Sequence, residues 1–204
     1  MLLLSENSNM RICFIGDSFV NGTGDPECLG WTGRICAAAR KQGYDITYYN
    51  LGVRRETSAD IRSRWLGEVA CRLPKEYDGR IVFSFGANDT TLENGETRVE
   101  LVDSLENCRA ILEAARQKFP VLMVASPPVA DIEQNFRIAG LSEQLAGLCR
   151  DRNVPYLDVF TPLQASSVWI SEAAANDGAH PGAAGYTEFA DLVQSWSAWL
   201  SWLK

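Results

Sequence analysis

One histidine occurs in the whole chain, and an aspartate stands three residues before it, in Asp177-Gly178-Ala179-His180-Pro181. The intervening glycine suits a tight turn that brings the carboxylate within reach of the imidazole. A carboxylate on one ring nitrogen fixes the tautomer and leaves the other nitrogen to act as a base. Ser18, in Ile15-Gly16-Asp17-Ser18-Phe19-Val20-Asn21, offers the proton such a base would take. That serine directly follows a short apolar run, where a strand gives way to a new element and unpaired backbone N–H groups gather. Such a place suits a nucleophile and the oxyanion it creates. Each residue also has a plainer use. Serine is a favoured helix N-cap, and His180 could stand beside such a cap on a surface loop. The single histidine excludes a multi-histidine metal site, and six scattered cysteines with no CxxC pair do not replace it. No metal or other cofactor is expected.

Periodicity shows the elements that must hold these residues. Arg11-Ile12-Cys13-Phe14-Ile15 is apolar, β-branched and aromatic, as a buried strand should be. A helix is expected from about Trp31, stopped near Gly43. Asp45 to Leu51 reads as a second strand, ended by Gly52. Thr57 or Ser58 then offers an N-cap to a helix carrying Ile61, Trp65 and Val69. Arg80 to Phe85 is a third strand, stopped by Gly86. After an Asn94-Gly95 turn, Thr97-Arg98-Val99-Glu100 has the form of a capping box, ahead of an apolar stripe from Leu101 to Phe119. Val121 to Ala125 is a fourth strand, followed by a helix with Leu141, Leu145, Leu148 and Cys149. Val154 to Val159 is a fifth, and Tyr186 to Leu203 marks one long terminal helix. Strand then helix, repeated with short apolar strands, predicts a three-layer α/β/α sandwich around a five-stranded parallel sheet. The pattern leaves strand order open; a flavodoxin-like 2-1-3-4-5 order is the expectation. Residues 1–9 read as an N-terminal tail and 10–204 as a single domain.

In such a sheet, ligands bind beyond the carboxyl ends of the strands. Three loops gather there: Gly16-Asp17-Ser18, Asn50-Leu51-Gly52 and Gly86-Ala87-Asn88-Asp89. They would bring a hydroxyl, a backbone N–H and a carboxamide donor to one edge. The Asp177–His180 loop, ahead of the last helix, can lie at the same edge. Asp17 and Asp89 are read as structural, accepting nearby loop or helix N–H groups.

With these four blocks in order, the chain resembles the SGNH hydrolase superfamily, the GDSL-type esterases and lipases, over nearly its whole length. Gly16-Asp17-Ser18 is similar to the first block, Gly52 to the second, Gly86-Ala87-Asn88-Asp89 to the third and Asp177-Gly178-Ala179-His180-Pro181 to the last. The resemblance implies the 2-1-3-4-5 sheet and a Ser-His-Asp triad of Ser18, His180 and Asp177. It also implies an oxyanion hole made by the Ser18 and Gly52 backbone N–H groups and the Asn88 side-chain amide. The implied activity is hydrolysis of carboxylic esters through an acyl-enzyme. Phe19 stands where leucine is usual, at a position that packs rather than reacts.

Composition narrows the alternatives. A net charge of −7 over 204 residues argues against nonspecific nucleic-acid binding. Gly22-Thr23-Gly24 is not a dinucleotide-binding GxGxxG, because position 27 is glutamate, and no GxxxxGK[ST] is present. A non-catalytic binding scaffold of the same fold is the other rival, although every catalytic position is filled. Short loops at 87–96 and 126–136, without a large apolar lid, favour a small acyl or acetyl group on a sugar or other polar alcohol. A thioester or lysophospholipid is the alternative for the same site. Arg54 and Arg55 read as solvated charges before they read as a lure for an anionic substrate. Trp31 reads as core before pocket lining. Trp199 and Trp202 are expected to pack on the sheet, or else to offer a homo-oligomer surface on the C-terminal helix. The spread cysteines suggest reduced thiols and a cytoplasmic location. Met1-Leu2-Leu3-Leu4 is too short for a signal-peptide core, and no run approaches the ~20 apolar residues of a membrane helix.

Overall fold

In the computed structural model, which describes residues 9–204, the run Met10–Gly16 becomes β1. Residues 1–8 of the expected tail lie outside the described residues. Side chains of β1 alternate between two cores, as the period of two requires. Ile12 and Phe14 face one core, Cys13 and Ile15 the other, and all four are fully buried. After β1 come the one-turn helix α1 (Ser18–Asn21), α2 (Gly30–Lys41), β2 (Ile46–Gly52), α3 (Ser58–Ala70) and β3 (Asp78–Ser84). A hairpin of β4 (Leu92–Glu93) and β5 (Glu96–Thr97) precedes α4 (Leu101–Arg116), β6 (Val121–Val124) and α5 (Ile132–Asp151). The chain continues through β7 (Tyr156–Leu157), α6 (Phe160–Gln164), α7 (Ser167–Ala175), α8 (Ala183–Ser195) and α9 (Ser197–Trp202).

The parallel sheet has the order β2-β1-β3-β6-β7. With the hairpin set aside, this is the expected 2-1-3-4-5 arrangement. Helices α1, α2 and α6 to α9 cover one face, and α3 and α4 cover the other. Helix α5 serves both, through Ile138 on one side and Leu141, Leu145 and Cys149 on the other. Trp31 is core, stacked on Phe189 with ring centroids 4.9 Å apart. Trp199 is buried too and lies 6.4 Å from Phe14, so that indole is spent on packing. No helix among the described residues is long and apolar enough to cross a membrane. All six cysteines are free, and burial pushes the Cys13 and Cys149 thiols up to about 12.

Register decides where chemistry can happen. Gly16 pairs with Gly52 on one side and with Ser84 on the other. Three strands therefore end at one level, and their loops start side by side. Both glycines are demanded by close backbone approach. A Cβ on Gly16 would stand 1.9 Å from the Ser84 carbonyl oxygen, and one on Gly52 would stand 2.1 Å from the Asn21 nitrogen.

Several element boundaries differ from expectation, each for a local reason. Asn94 and Gly95 both take positive φ and close the hairpin, which draws Thr97 into β5. Thr97 is therefore no capping box, and α4 starts after Glu100 with no side-chain cap. The fifth strand shrinks to Tyr156–Leu157: Pro155 before it brings no N–H to the ladder, and after it Asp158 Oδ1 accepts the Thr161 N–H at 3.1 Å as α6 begins. The long terminal helix breaks at Trp196, whose ψ of 125° is extended, giving α8 and α9. Helices α6 and α7 had no expectation attached. Ser166 starts α7 by accepting the Trp169 N–H at 3.0 Å.

Candidate active site

Asp17, not Ser18, caps α1. Its Oδ1 accepts the Phe19 N–H at 3.0 Å from an extended backbone. Ser18 is the first helical residue, where the N–H has no intrahelical acceptor, and none is found for it among the described residues. The helix lasts one turn, closed by Gly22 donating to the Ser18 carbonyl at 3.1 Å. The serine hydroxyl is thus fixed at the end of β1 with a free N–H beside it.

Ser18 Oγ lies 2.7 Å from His180 Nε2, and His180 Nδ1 lies 2.7 Å from Asp177 Oδ2. Burial pulls the Asp177 carboxyl up, but the His180 backbone N–H, the imidazole and the Ala179 N–H together outweigh it and bring it to about 2. An ionised carboxylate only accepts, so Nδ1 must carry its hydrogen and Nε2 is bare to accept the serine proton. The turn holding this pair is tied from three directions. Asn176 Nδ2 donates to the His180 carbonyl at 3.1 Å, and Ala130 N–H donates to the Gly178 carbonyl at 2.8 Å. Glu172 Oε2 accepts the Gly182 and Gly185 N–H groups at 2.9 and 2.7 Å. The Phe19 ring stands 4.9 Å from the imidazole, giving the position after the serine a packing role.

Asn88 comes to the same edge. Its Nδ2 donates to the Glu56 carbonyl at 3.0 Å, and its second amide hydrogen has no acceptor among the described residues. Gly52 ends β2 at the same edge, level with Gly16. Its N–H donates to Asn50 Oδ1 at 3.0 Å, and Asn50 Nδ2 is itself held by the Val20 carbonyl at 2.8 Å and Thr32 Oγ1 at 3.2 Å. Gly52 also fits closely beneath α1, against Asn21 and the Asp17 carbonyl. Arg54 and Arg55 are exposed beside this edge; Arg55 reaches Glu93 at 3.4 Å.

Asp17 and Asp89 prove structural in their contacts. Asp89 Oδ1 accepts the Ser58 N–H at 2.7 Å, joining the third loop to the start of α3. Both carboxylates keep one buried oxygen without a partner among the described residues. Burial pushes Asp17 up to about 7; the Phe19 N–H opposes that rise and the Asp89 charge adds to it. An unfolded aspartate titrates near ~3.9, so the folded form holds this proton more tightly. The resulting stability is whole below about pH 4 and is lost as pH rises through about 7. Asp17→Asn keeps the cap and removes the buried charge. The variant is expected to gain on the wild type between pH 5 and pH 8 by on the order of 2 kcal/mol, roughly 5 °C in Tm. A Tm difference that stays constant with pH would contradict the charged carboxylate.

Residues that sequence patterns do not mark are Glu56, Arg64 and Glu172; Asn50 is marked only as part of the Asn50-Leu51-Gly52 block. Glu56, Arg64 and Glu172 carry no such signal.

The family model described as GDSL-like Lipase/Acylhydrolase matches residues 14–187, a span that includes Ser18, Gly52, Asn88, Asp177 and His180. No curated protein sequence matches the chain. Among solved structures, a catalytic mutant of Axe2, an acetylxylan esterase from Geobacillus stearothermophilus, superposes with a TM-score of 0.77 at 16% identity. That likeness covers 94% of this chain and 96% of the other. The lipase/acylhydrolase from Enterococcus faecalis gives 0.74 at 22% identity, over 91% and 93%. At such identities the structures establish a shared fold, while the family match bears on the class of activity.

Proposed function

We propose, from the premise that the chain belongs to the GDSL-like Lipase/Acylhydrolase family and is a carboxylic ester hydrolase, that it removes short acyl or acetyl groups from sugars or other polar alcohols through a triad of Ser18, His180 and Asp177. The observation that carries the reading is the pair of 2.7 Å contacts linking the serine hydroxyl, the imidazole and the carboxylate. As the bond from Ser18 Oγ to the ester carbon forms, the hydroxyl proton passes to His180 Nε2 and the carbonyl π pair moves onto oxygen. The oxyanion accepts from the Ser18 N–H and from the Asn88 amide hydrogen that Glu56 does not hold. The imidazolium is stabilised by the ionised Asp177. Collapse breaks the ester C–O bond, and the leaving alkoxide takes the proton from Nε2. Water then attacks the acyl-enzyme with the same base, freeing the carboxylic acid and restoring the serine. Gly52 contributes room for α1.

A small acyl group fits the closed setting. Ser18 is 5% exposed and His180 8%. The wall after β6 is fastened by paired hydrogen bonds between Asn135 and Val129, and Gln134 and Arg137 tie α5 to residues 87–91. The acetylxylan activity named for the Geobacillus structure points the same way. One feature favours a longer acyl chain: Ile132 and Phe136, on one face at the start of α5, are 70% and 69% exposed. A series of p-nitrophenyl esters from acetate to decanoate decides between them. The short-acyl reading expects kcat/KM to be highest at acetate and to fall about tenfold by octanoate. A preference that rises with chain length would instead favour a lipase-like or lysophospholipid substrate.

A further inference from the structure

Arg64, on the second turn of α3, makes three contacts that meet on three different segments. Its Nη2 donates to the Leu51 carbonyl at 2.8 Å and to the Gly16 carbonyl at 3.2 Å, and its Nε donates to Glu56 Oε2 at 2.6 Å. The arginine and glutamate side chains are only 18% and 17% exposed. Gly16 and Leu51 lie at the carboxyl ends of β1 and β2, where the ladder runs out and carbonyls need other donors. Glu56 lies in the loop between β2 and α3, and its own carbonyl is the acceptor that holds the Asn88 amide.

These contacts form a closed circuit. Asn88 hangs on Glu56, Glu56 on Arg64, and Arg64 on Gly16, which stands two residues before Ser18. The same Gly16 carbonyl accepts the Val53 N–H at 3.0 Å, so the loop's other end is anchored at the same point. An ion pair of this kind roughly breaks even in energy against the cost of desolvating its charges. What it supplies is placement, because the planar guanidinium fixes the relative directions of its partners in a way that a lysine ammonium does not.

We propose that Arg64, through its ion pair with Glu56, is a positioning residue that sets the spacing between the Ser18 N–H and the Asn88 amide. The proposal rests on the esterase reading of Ser18 and Asn88. The two donors converge on an oxyanion only while that spacing holds, so Arg64 acts on the transition state and not on substrate binding. Misplacement of a donor by about 1 Å is enough for a loss on the order of a hundredfold.

The test is a mutant cycle on p-nitrophenyl acetate. Arg64→Lys is expected to lower kcat about thirtyfold with KM within about twofold of wild type. In an Asn88→Ala background, where the donor being positioned is gone, Arg64→Lys is expected to cost less than about twofold. Glu56→Ala should show the same loss and the same non-additivity, and it carries the test if Arg64→Lys melts below the assay temperature. Glu56→Gln, which keeps an acceptor oxygen for Arg64, should recover most of the activity lost in Glu56→Ala. Losses that are equal in both backgrounds, or a rise in KM with kcat intact, overturn the proposal and leave Arg64 as a structural cap for strand ends. Wild type that hydrolyses esters and labels at Ser18 with a fluorophosphonate, while the variants behave additively, overturns the positioning role alone. Wild type that does neither overturns the esterase reading and this proposal with it.

Discussion

Ser18→Ala is expected to lower kcat for ester hydrolysis by about a million-fold and to abolish fluorophosphonate labelling, with Tm nearly unchanged. The size follows from the loss of the covalent route: without Oγ, only the oxyanion donors and substrate binding remain to assist water. The small effect on Tm follows from the helix start. The α1 cap is Asp17 Oδ1, and the hydroxyl bonds to His180 Nε2, so alanine removes neither a cap nor a buried backbone partner. Labelling that persists in the variant would place the nucleophile elsewhere. A collapse in Tm would give the hydroxyl a structural role that its contacts do not suggest.

Asp177→Asn is expected to lower kcat about ten-thousand-fold with little change in substrate affinity. The carboxylate does two jobs. One oxygen accepts from His180 Nδ1, and the other accepts the Ala179 and His180 backbone N–H groups at 3.1 and 2.9 Å. An asparagine can keep the second job with its single carbonyl oxygen, which turns its NH2 toward the ring. Nδ1 must then accept, the ring hydrogen moves to Nε2, and the base facing Ser18 no longer accepts a proton. Measured kcat and the rate of Ser18 labelling should therefore fall together. A variant within tenfold of wild type would remove Asp177 from the triad.

Much of this site was legible in the chain because its constraints are local or exclusive. One histidine leaves one choice of base, and the aspartate three residues away in a glycine turn lies within bonding distance whatever the rest of the fold does. Strands announce themselves by apolar runs ended by Gly16, Gly52 and Gly86, and a parallel sheet then brings their loops to one edge. What escaped depends on rotamers and on distant pairing. The bond from the Gly52 N–H to Asn50 Oδ1 depends on a side-chain rotamer. Thr97 and Glu100 have capping-box spacing, yet Asn94-Gly95 folds Thr97 into a hairpin first. No glycine or proline marks the break at Trp196. Nothing in the sequence sets Arg64 apart from the other polar residues of α3. Its value appears only once Gly16, 48 residues earlier, is beside it.

The hydrogen bond between Ser18 and His180 joins positions 162 residues apart, near the two ends of the chain. A nascent or refolding molecule can therefore complete the central strands and still lack the proposed triad. Contacts of such long sequence separation carry a large loop-closure cost and tend to form late. Hydrolytic competence is thus a reporter of finished folding, more demanding than circular dichroism or intrinsic fluorescence. Premature termination between Ser18 and His180 yields a chain that has the proposed nucleophile but not the proposed base.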